Sequence, residues 1–484
     1  MVLDLQRGIV NVPLPTRLPP PIINETFSTF VVGTAPIFMA TGTPAPVGEV
    51  IRISNLNEMK ERLGYNYDFG RYTLCEAAFM FFENSGIGPL YMVNVFDPSN
   101  TTEGADFEGA LINGSLTLPA GSIVEDVRVG ENVAIKGTDY ILSYSSITGE
   151  PIITRLKAST VIPTDSTQIT VQNKFIAASF AGVNDADVAK GFNELEIIYP
   201  KTETGSPEVL IAPGFGHQPL TYAAMQKYTD EESPYGGRWF ATAIIDIPDD
   251  AENADVLEKV ENVAKNYTIP GYGEWARWAF GGANVHGSVV KAAILARGVA
   301  QNSGVPRGGG SNEVVANCTG LYNGKGERLY MDLKPATIVN NSCVNTGLYS
   351  QGYRTLGNRL LSNRNSDEVS HVWGSFRIAR NHIFNTFQRD LINSVDQNMG
   401  LGMIEGLVTQ INITLNRMSK AKAIEGNFEV VLNRELNTAE TLDNGKVIID
   451  VIQGKGAPAE GIIIRTYFDL ELGRSWVTQL IGGN

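Results

Sequence analysis

Four apolar runs constrain this chain more than any other feature. They are FVVGTAP from Phe30, LYMVNVF from Leu90, VLIAPGFG from Val209 and ATAIIDIP from Ala241. None alternates polar with apolar residues, so none has a face to give to water. Strands of this kind are covered on both sides, usually in a parallel sheet between helices. Helical stretches stand where such a sheet needs them. NLNEMKERL and RYTLCEAAFMFFEN fall between the first two runs, and in the second of these Leu74, Ala77, Ala78 and Phe81 share a face. DVLEKVENVAKNY follows the fourth run. GSVVKAAILARGVAQNSG comes next and is stopped by Gly304 and Pro306.

The α/β text is interrupted. From about Asn100 to Lys174 the chain reads as short β segments, GSLTLPAG, DVRVGENVAIKGTDYILSY, TGEPIITRLKAST and STQITVQN, with turn residues at short, regular spacing. An all-β domain at 101–174 is therefore expected inside an α/β domain made of 27–100 and 175–350. A further part, 351–460, is α+β. In RIARNHIFNTFQRDLINSV the residues Ile383, Phe384, Phe387, Leu391 and Val395 recur at three- and four-residue spacing, which predicts an amphipathic helix. GMIEGLVTQINITLNRM predicts a second. Strands are expected at NFEVVLN, KVIIDVIQG and GIIIRTYFDLEL, with a hairpin-type turn at Asp443-Asn444-Gly445 before the middle one. In the last strand Ile464, Thr466, Phe468, Leu470 and Leu472 face one way. SWVTQL, with Trp476, is a final β-prone stretch.

The two ends do not look self-sufficient. At the start, Val10, Val12 and Leu14 alternate as in a half-buried strand, yet Pro13, Pro15, Pro19, Pro20 and Pro21 intervene. Proline lacks the N–H that a central strand must donate. Residues 1–26 thus read as an arm, and 461–484 as a second strand or arm. The text admits two readings of them: arms that add to a neighbour's sheet edge, satisfying both partners, or terminal strands folded onto their own domain.

Chemistry is sparse. The net charge of −14 over 484 residues argues against broad binding to polyanions such as nucleic acid or anionic lipid. Cys75, Cys318 and Cys343 are odd in number and far apart, which suits packed thiols in a reducing compartment rather than a disulfide framework. No signal-peptide pattern and no membrane-spanning run is read. GLYNGKGE misses the phosphate-loop spacing and has Gly326 where Ser or Thr would bind magnesium, so a surface turn is expected. Gly308-Gly309-Gly310 lacks a preceding strand and reads as a flexible loop. His217, His286, His371 and His382 have no ligand spacing, and no G-x-S-x-G elbow is present. Asp246, at the end of an apolar strand, could be a catalytic carboxylate of an α/β enzyme or a helix-capping residue. No catalytic, cofactor or metal residue is assigned, and a structural component fits better than an enzyme.

The order of segments resembles contractile tail sheath proteins of bacteriophages and related contractile particles. The resemblance covers most of the length and rests on GIVNVPLP followed by FSTFVVGTAP, on LNEMKERLG, EAAFMFFENSGIGPLYMVNVF, VLIAPGFG, RWFATAIIDIP and GTDYILSYSSITGEPII. The C-terminal stretches GYRTLGNRLL, FRIARNHIFNTFQRDL and FEVVLNRELNTAETLDNGKVIIDVIQGKGAPAEGIIIR carry it most specifically. The chain departs from the family in FGGANVHGS, where a Pro-rich turn is common, and in Arg377-Ile-Ala-Arg380, where paired arginines are common.

The resemblance implies a non-enzymatic virion protein without cofactor. Its subunits would form hexameric rings stacked helically around a tail tube, assembled in the host bacterial cytoplasm. It would meet a baseplate and a tail terminator, and contract to drive the tube through an envelope for genome ejection. It makes 351–460 the core sheath domain and turns the arms into strand-exchange elements, with Val10, Val12, Leu14, Phe468, Leu470, Leu472 and Trp476 at the contact. A tube contact is expected near Arg417, Lys420 and Lys422, a locally basic stretch in an acidic chain; a solvated loop is the other reading. The alternative from a different class is an α/β enzyme with a β insert and dispersed site residues, which would stay a small discrete oligomer.

Overall fold

A computed structural model describes residues 22–23, 27–145, 148–164, 168–202, 206–232, 234–235, 239–248, 264–362, 366–460 and 462–466. At its centre is a six-stranded sheet. Its strands are β1 (Ser28–Gly33), β2 (Val50–Ile53), β3 (Leu90–Asn94), β4 (Pro207–Ile211), β5 (Thr242–Asp246) and β6 (Tyr272–Glu274). The spatial order is β6-β5-β4-β1-β3-β2. All neighbours are parallel except β2, which runs antiparallel to β3 at the edge. Each of the four apolar runs supplies one strand, and every residue of β1, β3, β4 and β5 is buried. The chain starts in the middle of the sheet, builds outward to β3 and β2, then returns past β1 to add β4, β5 and β6.

The covering helices form where the periodicity places them. The helix Leu56–Arg62 is capped by Asn55, whose side chain accepts from the Glu58 amide. Thr73–Ala78 is buried throughout and continues into a wider π-type turn at Phe79–Asn84. Helix α1 (Gly287–Gln301) buries most of its length against the sheet. It ends as expected, with Gly304 at φ 80° donating its amide to the Val299 carbonyl. The helix expected at DVLEKVENVAKNY falls mostly outside the described residues.

The segment after Asn100 forms two antiparallel sheets, one of five strands and one of three. They enclose their own apolar cluster, including Leu118, Val127, Ile153, Ile162, Ile169 and Val171. Thr102–Glu103 pairs with Lys174–Phe175, so the segment leaves and rejoins the body at one point. GLYNGKGE is a hairpin turn between Gly320–Tyr322 and Arg328–Leu329, with the Asn323 side-chain Oδ1 accepting from the amides of Lys325 and Glu327.

Helices α2 (Gly374–Leu391) and α3 (Leu401–Lys420) match the expected amphipathic pair. Helix α2 belongs to two cores: Ile378 packs into the cluster around the central sheet, whereas Ile383, Phe387 and Leu391 pack with Ile411, Leu415 and Met418 of α3. Its first half also carries buried polar side chains. Arg377 donates to the Thr229 carbonyl at 2.8 Å, and Asn381 to that of Ala241 at 3.2 Å. Asn385 exchanges two bonds with the Phe240 backbone, and His382 bonds Glu208 at 3.1 Å. Glu231 accepts from His371 at 2.7 Å and from both Arg377 and Arg380. Burial alone would raise the Glu231 carboxyl; the Arg380 hydrogen bond and the two guanidinium charges outweigh it and bring the pKa down to about 2.

Beyond α3, Phe428–Leu432 and Ile449–Gln453 pair antiparallel as a separate two-stranded sheet. Asp443-Asn444-Gly445 does not make the expected hairpin. A short helix, Ala439–Asp443, capped by Thr438, occupies the connection, and Gly445 at φ 74° follows its C-terminus. Asp-Asn-Gly serves a helix end as well as a hairpin, because both need a residue in the left-handed region.

Two outcomes follow from these contacts. Glu231→Ala would leave the Arg377 side chain, 1% exposed, without its counter-charge. A loss of about 3–5 kcal/mol in urea unfolding is expected, and a loss below about 1 kcal/mol would show that the joint does not depend on the pair. Replacing 101–174 by a short Gly-Ser linker should leave a body that unfolds in one cooperative transition, because the two ends already meet. A body that fails to fold would count against that boundary.

Candidate assembly interface

The described body offers one place where an α/β enzyme would keep its chemistry, the carboxyl edge of the parallel strands. Asp246 lies there, 7% exposed, and tethers the first turn of α1. Its carboxylate accepts from the Ser288 amide at 2.9 Å, the Ser288 hydroxyl at 2.7 Å and the Gly214 amide at 3.2 Å. This is the helix-capping role. Beside it His286 bonds the fully buried Glu76 at 2.8 Å. Burial disfavours the His286 cation, but the Glu76 charge outweighs it and the pKa rises; burial likewise pushes the Glu76 carboxyl up. On β6, burial pushes Glu274 up to about 8 against the pull of Lys291, 3.9 Å away, and burial pushes Lys291 down to about 8 against Glu274. Lys291 also donates to the carbonyls of Gly357 and Gly310. These groups clamp α1 to the sheet and to the glycine-rich loop, and Asp246, Glu274 and His286 line a cavity of about 170 Å³.

Three of the four histidines bond a carboxylate: His286 to Glu76, His371 to Glu231 and His382 to Glu208. Among the described residues no group of His, Cys, Asp and Glu could hold a metal ion. Burial pushes the Cys75 thiol well above its ordinary value and the Cys318 thiol up to about 11, a poor setting for a thiolate. No helix among the described residues is long and apolar enough to cross a membrane.

The C-terminal part is built differently. None of the residues in the strands Phe428–Leu432 and Ile449–Gln453 is buried. Phe428, Val430, Ile449 and Val451 lean on α3, while Val431 and Ile452 face outward. Among the described residues each strand has one neighbour and so keeps a free row of N–H and C=O groups. The chain then runs on through residues 454–460 and 462–466 without regular structure. Arg359 holds it with a two-pronged ion pair to Glu460 and lies 5.3 Å from the Trp373 ring centroid. Past that clamp Ile462, Ile463 and Ile464 are 83%, 90% and 80% exposed, with no strand partner among the described residues. A lone two-stranded sheet is marginal in water, and three consecutive exposed isoleucines are costly there. Open edges and an unburied apolar strap make this region the candidate interface.

Arg417, Lys420 and Lys422 come together at the C-terminal end of α3, all exposed and without an ion pair among the described residues. That position offsets the helix dipole and leaves the charged heads in water. Val10, Val12, Leu14, Phe468, Leu470, Leu472 and Trp476 lie outside the described residues. Sequence reasoning passed over the α2 polar set, although Arg377, Asn381 and Asn385 recur every fourth residue beside the apolar stripe. It also passed over the Arg359–Glu460 clamp, which joins residues too far apart in sequence to pair by inspection.

Two solved structures share this architecture almost end to end. One is a chain of the anti-feeding prophage baseplate, determined with six-fold symmetry. It is 14% identical, the match covers 96% of this chain and 99% of that one, and the TM-score is 0.57. The other belongs to the PVC sheath complex of an extracellular contractile injection system in its contracted state. It is 14% identical, with 97% of this chain and 100% of that one covered and a TM-score of 0.56. No family model and no curated protein matches the chain. The fold is that of contractile-system sheath proteins.

The Glu274 environment has a measurable consequence. A carboxyl whose folded pKa lies above its ordinary 4.5 removes stability as pH rises from there to about 8. Lys291, lowered from 10.5 to about 8, returns stability only above about pH 8. Glu274→Gln keeps the neutral shape, so its melting temperature relative to the parent should rise steadily from pH 5 to pH 8. A difference independent of pH in that window would show that Glu274 is not held protonated.

Proposed function

We propose that the chain is the sheath subunit of a contractile tail or injection particle, phage or phage-derived, polymerising helically around a tube and contracting to drive it through a cell envelope. The observation that carries this reading is the unburied C-terminal strap and open-edged sheet on a fold shared, over nearly its whole length, with a sheath complex. A folded monomer gains nothing from an exposed Ile462–Ile464; a polymer covers it. In this reading 1–26 and 461–484 are arms that add strands to neighbouring subunits, with Val10, Val12 and Leu14 at one end and Phe468, Leu470, Leu472 and Trp476 at the other.

The mechanism needs no cofactor. Subunits form six-membered rings stacked on a tube, with a baseplate at one end and a terminator at the other. They assemble in the host cytoplasm and act in the particle. Energy is stored in how subunits pack in the extended state. The strong joints inside each body, α2 on the sheet and α1 on its carboxylates, keep the body rigid while arms at flexible joints let it turn against its neighbours. The anti-feeding and PVC particles suggest an injection role; genome ejection is the corresponding role in a phage tail. Arg417, Lys420 and Lys422 are assigned to the tube side. Each exposed pair there is worth only about 0–1 kcal/mol, but it repeats on every subunit and breaks easily, as a sliding contact requires.

Electron microscopy of the purified protein tests the reading: tubes or stacked rings are expected, and a small discrete particle would favour an enzyme. Leu470→Asp should abolish those assemblies, since an unpaired charge in an apolar strand contact costs several kcal/mol; normal tubes from it would show that the position is exposed. Lys420→Glu with Lys422→Glu should destabilise extended particles and leave tube-free contracted sheath intact. Unchanged extended particles with unchanged salt sensitivity would remove the tube contact from these residues.

A further inference from the structure

One group of exposed aromatic residues is braced in place rather than scattered. Tyr330 is 82% exposed and Tyr349 60%. The Tyr349 and Tyr353 rings meet edge-on at 5.1 Å, and the Tyr349 amide donates to the Met331 carbonyl at 2.9 Å. Arg328 ties the set together. Its guanidinium lies 5.6 Å from the Tyr330 ring centroid and donates to the Tyr353 hydroxyl at 3.3 Å. Among the described residues neither the Tyr330 nor the Tyr349 hydroxyl has a hydrogen-bond partner. The patch is therefore aromatic and supplied with phenol donors that have no partner among the described residues.

Those properties fit a proline-rich segment. Such a segment favours the polyproline II form, leaves its carbonyls unbonded and loses little entropy on docking; proline rings lie on aromatic faces while phenol hydroxyls donate to the carbonyls. The chain carries one such segment, Pro13 to Pro21, with prolines at 13, 15, 19, 20 and 21. It ends beside Ile22, where Ile22–Ile23 pairs in parallel with Ile87–Gly88. In the polyproline II form, at about 3.1 Å per residue, a nine-residue segment covers roughly 28 Å. Arg17 is the only charged residue between Gly8 and Asn24, and the exposed Asp332 borders the patch.

We propose that residues 13–21 of one copy dock on Tyr330, Tyr349 and Tyr353 of a second copy. This rests on the self-assembly reading and adds to it the surface that receives the proline-rich part of the arm. Donor and acceptor are different surfaces, so the contact is head-to-tail and can repeat without closing, as a helical polymer needs.

The test uses full-length protein with Leu18→p-benzoylphenylalanine, a photo-crosslinking residue. Copies carrying light and heavy nitrogen are mixed in equal amounts, assembled and irradiated, and crosslinked peptides are read by mass spectrometry. The expected product joins the 13–21 peptide to a peptide containing Tyr330 or Tyr349, with mixed-isotope pairs as abundant as unmixed ones. Tyr330→Ala with Tyr349→Ala should lose most of that product. Unmixed pairs alone would place the segment on its own body and overturn the proposal. Assembled particles whose crosslinks fall elsewhere, or persist in the tyrosine variant, would overturn it while leaving self-assembly standing. Absence of any assembly would overturn both.

Discussion

Everything C-terminal to the central sheet depends on how helix α2 is held. Apolar packing alone fixes a helix poorly along its own axis, because ridges can slip into the next groove at small cost. Directional bonds remove that freedom. Arg377, Asn381 and Asn385 reach backbone atoms at Thr229, Ala241 and Phe240, and His382 meets Glu208, so a slip of one turn would break all of them inside the protein. Glu231, shared by Arg377, Arg380 and His371, closes the end of the joint. The same helix then offers Ile383, Phe387 and Leu391 to α3, so the orientation of the second core follows from the first.

Polar residues do that work at a cost in desolvation, and a hydrophobic joint could be as stable. What the polar joint gives is a single geometry. In a subunit read as a moving part of a polymer, a body that deformed internally would dissipate strain meant for its contacts. The clamp of α1 has the same character. Asp246 holds its first turn, Glu76 its neighbour His286, and Lys291 reaches across to Gly310 and Gly357. Placed at the carboxyl edge of a parallel sheet, these groups resemble an active site in composition, and these bonds run to one another and to backbone atoms of the same body.

Much of this was legible in the sequence, for definable reasons. The four apolar runs became strands because a doubly covered strand has no alternative use for continuous Val, Ile, Leu and Tyr. The amphipathic spacing from Ile383 to Leu391 placed α2. The Asp443-Asn444-Gly445 turn was misread because the left-handed residue it supplies ends a helix as readily as it makes a hairpin. What stayed hidden was long-range and polar. Nothing local says that Glu231 will face Arg377, or Glu460 Arg359, since charge pairing carries no periodicity. Arg417, Lys420 and Lys422 were found as a cluster because they are close in sequence. Their partner, if the tube, belongs to another molecule.

The contrast between the two halves of the chain carries the final step. Among the described residues the body buries its sheet, whereas the tail leaves two strand edges open and three isoleucines in water. A chain that closes its core around the central sheet and yet leaves Val431, Ile452 and Ile462–Ile464 exposed is, in the sheath reading, one that divides its interactions between folding and assembly. That division sets an order of events. The body can fold before any neighbour arrives, because its contacts are internal. Read as a sheath subunit, the chain has a tail that a second copy completes, and the stability of that tail would then depend on subunit concentration. An open-edged strand of this kind is also an aggregation hazard in isolation. The Arg359–Glu460 clamp limits it by fixing where the strap leaves the body.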